Sequence, residues 1–111
     1  MKARTLILPL AILVVGLLFL ASSGVAANQP MTEVKIDNFS FSPAVITVPA
    51  GTSVRWTNRD DIPHTVVSDD KLFKSNALDT DEQFSYTFNK PGTYSYFCSI
   101  HPIMTGKVVV R

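Results

Sequence analysis

The sequence has 111 residues, a formal net charge of +1 at neutral pH and a single Cys. A chain of this length suits one small domain, and a single Cys excludes an internal disulfide. The near-neutral charge argues against a nucleic-acid or other polyanionic partner, because such partners require a concentrated positive surface.

The first 27 residues have the organisation of a secretory signal peptide. Lys2 and Arg4 supply a basic start, residues 6–21 are apolar and uncharged, and small residues follow as far as Ala27. We therefore expect cleavage after Ala26 or Ala27 and a periplasmic or otherwise exported protein without a membrane span. An uncleaved membrane anchor is the alternative, although the apolar run is shorter than the ~20 residues that span a bilayer.

Residues 28–111 are expected to form a single exported domain. Loss of Lys2 and Arg4 on cleavage changes the formal net charge from +1 to −1. The short acidic runs at 60–61, 69–70 and 79–82 are expected to lie in solvated loops. A domain this small buries a limited core, and exported domains of this size commonly add disulfides or a metal. Because Cys98 has no partner for a disulfide, the composition favours a metal site that contains it.

Short β-rich segments separated by turn residues make up this domain. Apolar residues alternate with a period of two, as at Val34 and Ile36 or at Tyr94 and Tyr96, which places one face of each strand on a core. Seven strands at this spacing predict an all-β fold, a Greek-key antiparallel β-sandwich. Residues 71–78 fit neither pattern and are expected to form a loop or one helical turn. The predicted strands are 33–39, 45–48, 53–57, 64–67, 83–88, 93–98 and 107–110.

Aromatic residues on these strands are expected to build the core. The aromatic residues with the strand parity of buried positions are Trp56, Phe84, Tyr86, Phe88 and Tyr96. Tyr94 follows the turn Pro91-Gly92 at the start of a strand, where its hydroxyl can bond to nearby backbone. We therefore expect a tyrosine corner at Tyr94.

Three potential metal ligands lie in the loop between the last two predicted strands. Cys98, His101 and Met104 are spaced at i, i+3 and i+6, and His64 follows Pro63 at the edge of another predicted strand. Two imidazoles, one thiolate and one thioether are the ligands of a blue-copper site, in which the axial Met is weakly bound. The sequence therefore predicts one mononuclear copper ion held by His64, Cys98, His101 and Met104.

Other uses of these residues fit the set less well. Thioether is a poor ligand for zinc, and structural zinc sites prefer more thiolates. A nucleophilic Cys–His pair lacks an obvious acidic or amide side chain to orient the His. Copper oxidases and nitrite reductases need a second copper centre with further His ligands, whereas both His residues of this chain already belong to the predicted site. We therefore expect no enzyme activity.

From Phe41 onward the sequence resembles the cupredoxins, and most closely the amicyanin and plastocyanin-like members of that family. The spacing of Cys98, His101 and Met104 matches the short ligand loop of amicyanin. The resemblance implies a type 1 copper protein that carries one electron at a time between exported or membrane-bound redox proteins. The matching segments are Phe41-Ser42-Pro43, Val48-Pro49-Ala50-Gly51, Val54-Arg55-Trp56-Thr57-Asn58, Pro63-His64, Pro91-Gly92-Thr93-Tyr94-Ser95-Tyr96, Cys98-x-x-His101-Pro102-x-Met104 and Gly106-Lys107-Val108-Val109-Val110.

The resemblance also implies a docking surface and partners. In amicyanin and plastocyanin, redox partners dock at an apolar patch around the second His, which corresponds here to His101. For a monomeric amicyanin-like carrier, the donor would be an amine dehydrogenase and the acceptor a c-type cytochrome. The residues expected around His101 are Ile62, Pro63, Ile100, Pro102 and Ile103.

One departure from the family concerns the contacts of the Cys98 sulfur. Thr65 stands where amicyanin and plastocyanin usually have Asn, and its hydroxyl is expected to tie the two ligand loops together. The backbone N–H of Thr65 is also expected to point at the sulfur. Because Pro102 has no backbone N–H, we expect one backbone donor to the sulfur and not two.

Two other functions stay open on the sequence. A copper carrier or reservoir would deliver the ion instead of electrons, and it would lose copper on reduction. A metal-free sandwich with an adhesive role would show no intense visible absorption when Cu(II) is added.

Overall fold

The computed structural model describes residues 30–111, and the predicted signal peptide lies outside this range. Among these residues the chain forms eight strands and no helix, so no helix is present that could cross a membrane. The strands are β1 (Met31–Asp37), β2 (Ser40–Ser42), β3 (Val45–Val48), β4 (Thr52–Asn58), β5 (Val67–Ser68), β6 (Gln83–Phe88), β7 (Gly92–Phe97) and β8 (Thr105–Val110).

The strands form two four-stranded sheets, with the orders β2-β1-β4-β6 and β3-β8-β7-β5. The predicted all-β sandwich is confirmed, but its sheets are mixed and not purely antiparallel. β1 pairs parallel to β4, and β3 pairs parallel to β8. The chain leaves the first sheet after β2, forms β3 in the second sheet, and returns to place β4 beside β1. Apolar alternation specifies which face of a strand is buried, and it does not specify the neighbouring strand or its direction.

Most predicted strands agree with the observed ones to within two residues, but two differ more, and β2 was not predicted. The predicted strand 33–39 ends early, because Asn38 and Phe39 have positive φ angles of 52° and 55° and form a turn before β2. The predicted strand 64–67 is wrong in most of its length. His64 makes only an isolated bridge with Leu78, and regular pairing is limited to Val67–Ser68. Residues 71–78 form the expected loop.

An aromatic cluster fills the space between the two sheets. Trp56 and Tyr96 are buried, and their ring centroids lie 5.2 Å apart in an edge-to-face arrangement. Tyr96 in turn packs on Phe41 at 4.7 Å, and Phe88 packs on Trp56 at 6.5 Å. The predicted burial is therefore confirmed for Trp56, Phe88 and Tyr96, whereas Phe84 and Tyr86 are only partly buried and pack against the core. Aromatic pairs of this kind add to the stability gained from buried area.

The tyrosine corner is also confirmed. The hydroxyl of Tyr94 donates to the carbonyl of Lys90 at 2.6 Å, across the turn that precedes β7. This turn lies at the end of β7 opposite to Cys98, which directly follows Phe97.

Three connections meet at the other end of the sandwich. Ile36 and Asn58 are register partners at the ends of the parallel strands β1 and β4, so the turn after β1 and the loop after β4 are neighbours. The loop between β7 and β8 lies beside the loop after β4, because Ser99 of the first is hydrogen-bonded to Thr65 of the second. The loops at this end carry all four predicted ligands.

Candidate metal centre

His64 is held by backbone bonds to a distant loop. Its N–H donates to the carbonyl of Leu78 at 3.2 Å, and its carbonyl accepts from the N–H of Leu78 at 2.7 Å. The fully buried Asn58 supports the same contact, because its side-chain amide donates to the carbonyls of Ile62 and Leu78 at 2.9 and 2.8 Å. Asn58 thus fixes the loop that presents His64, a role that the sequence reasoning missed.

The other three predicted ligands lie in one tight loop. Cys98 follows β7 directly, and Met104 directly precedes β8. The N–H of Cys98 donates to the carbonyl of Met104 at 3.1 Å, and the N–H of Met104 donates to the carbonyl of His101 at 2.9 Å. These bonds close the loop on itself, so that the antiparallel strands β7 and β8 set the positions of its ends.

The imidazoles of His64 and His101 converge on the sulfur of Cys98. Sγ lies 3.7 Å from Nδ1 of His64 and 3.9 Å from Nδ1 of His101. One ligand atom from each of these residues lies within 4.8 Å of the others. His64 and Cys98 are fully buried, His101 is partly exposed, and Met104 is buried at the end of the same loop.

The surroundings of Cys98 favour its thiolate. Burial alone would raise the pKa of the thiol. The backbone N–H of Thr65 and the imidazole of His64, together with the backbone and ring of His101, outweigh this effect and lower the pKa to about 6. The N–H of Thr65 lies 3.4 Å from Sγ, as expected. Thr65 is the one backbone donor to the sulfur among the hydrogen bonds of the described residues, which agrees with the expected single donor. The thiolate is the form that binds metals.

Thr65 ties the two ligand loops together. Its hydroxyl oxygen accepts the N–H of Ser99 at 2.7 Å and lies 2.8 Å from the hydroxyl of the same residue. The expectation that the hydroxyl of Thr65 ties the two ligand loops together is thereby confirmed. Since Ser99 follows Cys98, this bridge fixes the distance between the loop of His64 and the loop of Cys98.

Asp60 is part of the site, which corrects the expectation of a solvated acidic loop. Its Oδ2 lies 2.7 Å from Nε2 of His64, and its side chain is 11% exposed. Burial raises the pKa of this carboxyl, but hydrogen bonds from the N–H of Phe39, from His64 and from the N–H of Asn38 hold it below its ordinary value. The spacing of four residues between Asp60 and His64 is the only sequence signal for this contact.

Apolar side chains surround the exposed edge of His101. Ile103 is 89% exposed, Ile100 is 47% exposed, and Phe39 is 51% exposed. The Phe39 ring meets His64 and His101 edge-on, with centroid distances of 5.5 and 5.2 Å. The expected apolar patch therefore includes Phe39, which the sequence analysis had assigned to a strand.

The donor set fits copper. A thiolate and two Nδ1 atoms lie close enough together for one ion to bind all three, and this combination of soft sulfur and imidazole is typical of blue-copper sites. The protein-family model named Cupredoxin-like domain matches residues 10–110 of the sequence. The chain belongs to this family. The cupredoxin-like match and the three converging ligands together make it a blue copper protein with one type 1 copper ion.

Individual relatives agree with this assignment. This cupredoxin-like chain is 40% identical to Amicyanin-alpha from Methylorubrum extorquens over 85 residues, which cover 72% of this chain and 71% of that protein. It is 35% identical to the chloroplastic plastocyanin of Tetradesmus obliquus over 105 residues, covering 81% and 72% of the two chains. The solved structure of a purple cupredoxin from Nitrosopumilus maritimus matches with a TM-score of 0.69 and 34% identity, covering 72% of this chain and 99% of that one. The predicted blue-copper electron carrier is thereby confirmed, while its partners and compartment remain predictions.

Proposed function

We propose that this cupredoxin-like chain is an exported one-electron carrier in which His64, Cys98, His101 and Met104 hold the copper ion. The observation that carries the proposal is the convergence of Cys98 Sγ with the Nδ1 atoms of His64 and His101, at 3.7 and 3.9 Å. Copper bound here would have two accessible oxidation states, Cu(I) and Cu(II), which differ by one electron. Met104 completes the set from its buried position next to β8.

The residues of the chain prepare this site before any metal binds. Asn58 and Leu78 fix the backbone of His64, and Thr65 fixes the distance between the two ligand loops. Ligands locked by packing and hydrogen bonds keep one geometry. A site of fixed geometry rearranges little between two oxidation states, which favours rapid electron exchange over release of the ion.

Reduction of the copper-loaded protein distinguishes the carrier from a copper-delivery protein. We expect Cu(II) to give an intense visible band that disappears on reduction and returns on oxidation, with no copper lost to a Cu(I) chelator during the cycle. Transfer of the copper to the chelator on reduction would favour delivery, and no visible band at all would favour a metal-free role.

We further propose that redox partners dock at the apolar patch of Phe39, Ile100 and Ile103. The exposed edge of His101 lies within this patch and leads directly to the other ligands. Exposed apolar patches of this kind mark protein-binding surfaces. As in amicyanin, the donor would be an amine dehydrogenase and the acceptor a c-type cytochrome, with the carrier acting as a monomer.

Export would follow from the predicted signal peptide at residues 1–27. Sequencing the N-terminus of the protein isolated from the periplasmic or exported fraction tests this directly. A start at Ala27 or Asn28 supports cleavage, and retention of Met1 in a membrane fraction supports the anchor.

The axial position can be tested by replacing Met104 with Gln. We expect the protein to keep copper and to show a lower reduction potential, because an oxygen donor stabilises Cu(II) relative to Cu(I). A tenfold change in the relative affinity for the two states corresponds to about 59 mV for one electron, and we expect at least this shift in voltammetry. Met31→Gln is the matched control, since Met31 lies at the start of β1 and is half exposed. Equal potentials in the two variants would remove Met104 from the ligand set.

The docking patch can be tested by replacing Ile103 with Lys. This residue is 89% exposed, so the change should leave the fold intact and place a charge in the apolar patch. We expect electron transfer to a soluble c-type cytochrome to slow about tenfold, which corresponds to the loss of one strong interface contact of about 1.4 kcal/mol.

Leu72→Lys is the control for this test. Leu72 is also exposed and apolar, but it lies beside Lys90 and Tyr94, at the far end of β7 from Cys98. Both variants add one positive charge, so the change in net charge is the same in the two. Stopped-flow rates that fall equally in the two variants would place the docking surface elsewhere.

A further inference from the structure

The carboxylate of Asp60 connects a ligand to a neighbouring turn. Oδ2 lies 2.7 Å from Nε2 of His64 and also accepts the N–H of Phe39 at 2.9 Å. Oδ1 accepts the N–H of Asn38 at 2.6 Å. Both oxygens are thus engaged, and the side chain is almost fully covered, with 11% exposed.

Asp60 itself is fixed by its backbone. Its N–H donates to Oδ1 of Asn58 at 2.9 Å, and its carbonyl accepts from the hydroxyl of Thr80 at 2.6 Å. These two bonds fix the backbone of Asp60, and so the position of its carboxylate, in the loop that directly follows β4. A carboxylate held in this way can orient the groups that bond to it.

The turn that bonds to Asp60 has an unfavourable backbone. Asn38 and Phe39 are both in the left-handed region, with φ angles of 52° and 55°. This conformation is uncommon for residues other than Gly, and bulky residues adopt it only when the surroundings hold them there. The two N–H groups of this turn both donate to Asp60, which supplies the contact that holds it.

The same turn places Phe39 against both imidazoles. Its ring is edge-on to His64 at 5.5 Å and to His101 at 5.2 Å, and the two imidazoles are themselves 5.2 Å apart. Phe39 therefore covers the space between the two His residues on the outer side of the site. Its position depends on Asp60 through the backbone of the turn.

We propose that Asp60 is a positioning residue that orients His64 and holds Phe39 over the metal site. An acceptor at Nε2 fixes the ring proton on that nitrogen and leaves Nδ1 free to face Cys98 and bind metal, as in other carboxylate–histidine–metal arrangements. The inference rests on the proposed role of His64 as a ligand. One carboxylate thereby sets the donor atom of His64 and the aromatic cover of the site.

Asp60→Asn tests this role, with Asp61→Asn as its control. Both changes remove one negative charge from adjacent positions, but Asp61 is exposed. Asparagine has a single oxygen and cannot accept all three N–H groups that Asp60 accepts. We expect Asp60→Asn to lower the affinity for Cu(II) and Zn(II), measured by chelator competition, about 10–100-fold. Asp61→Asn should leave both affinities unchanged.

The reduction potential of the bound copper gives a second measure of the effect of Asp60 on His64. A carboxylate that accepts the ring N–H makes the imidazole a stronger donor, which stabilises Cu(II). The potential should therefore rise in Asp60→Asn by more than in Asp61→Asn. Equal affinities and equal potentials in the two variants would overturn the inference. The blue band of the unaltered protein would still test the ligand assignment independently.

Two measurements on the unaltered metal-free protein keep the test valid if Asp60→Asn does not fold. Nitrogen NMR of the His64 ring should find the proton on Nε2, and amide exchange at Asn38 and Phe39 should be slow despite their place in an exposed turn. A proton on Nδ1 of His64, or rapid exchange at both amides, would contradict the proposed role of Asp60.

Discussion

Replacing Cys98 with Ser is expected to abolish the intense visible absorption of the copper-loaded protein. The band arises from charge transfer between the thiolate and Cu(II), and a hydroxyl oxygen offers neither the same softness nor a comparable pKa. Cys98 is the single Cys of the sequence, so no other thiolate can take its place beside the two imidazoles. Visible spectroscopy during titration with Cu(II) measures the effect.

The fold should survive this change. Serine is nearly isosteric with cysteine, and its oxygen can accept the N–H of Thr65 that now points at the sulfur. Far-UV circular dichroism should therefore be unaltered. Ser85→Ala is the control, because Ser85 lies at an exposed position of β6 outside the ligand loops. A blue Cys98→Ser protein would disprove the assignment of Cys98.

Replacing Gly106 with Ala is expected to destabilise the fold by about 3 kcal/mol. A Cβ at this position would lie 2.4 Å from both Cζ and the hydroxyl oxygen of Tyr96. Tyr96 is 1% exposed and packs edge-to-face on Trp56 and Phe41, so its ring has little room to move. Overpacking of a filled core costs about 1–3 kcal/mol, and the contact here is at the severe end.

Thermal unfolding measures this loss. For a domain of this size, 1 kcal/mol corresponds to about 4–8 °C in Tm, so the midpoint for Gly106→Ala should fall by more than about 10 °C. Thr105→Ala, at the exposed neighbouring position of β8, should change the midpoint far less. Similar midpoints for the two variants would mean that the sandwich accommodates the methyl group by repacking.

The substitutions Cys98→Ser and Gly106→Ala should also affect copper binding in different ways. Cys98→Ser acts on a ligand and leaves the core untouched. Gly106→Ala acts on Tyr96, which lies on β7 two residues before Cys98, and should alter the site only through the strand that carries it. Comparing the spectra of the two variants therefore separates loss of a ligand from loss of packing.

The strands illustrate how far local pattern predicts this fold. Alternation at Val34 and Ile36 places β1 correctly on the core, because neighbouring side chains of any strand point to opposite faces. The same pattern extended the strand through Phe39, an apolar residue that in fact lies in a sharp turn with Asn38. The contact that bends the chain there is with Asp60, more than twenty residues away, and no local pattern contains it.

At the metal site, too, some features follow from residue type and others depend on contacts between distant parts of the chain. Residue type alone predicts which side chains would bind copper, because two imidazoles, a thiolate and a thioether are a typical ligand set for it. Residue type gives no indication that Asn58 fixes the loop of His64, since Asn is common in solvated turns. Burial and two carbonyl partners assign Asn58 this role, and both depend on where Leu78 is placed.

The sequence by itself determined the all-β class, most of the core aromatics and a candidate set of metal ligands, because these depend on side-chain period and donor type. Only the tertiary structure decided that β1 lies parallel to β4 and that Asp60 bonds to His64, Asn38 and Phe39. The physical reason is that strand pairing sets which loops become neighbours. With β1 and β4 side by side and parallel, the turn after one meets the loop after the other. An acidic residue that would be solvated in an isolated loop is thereby covered and bonded to a ligand.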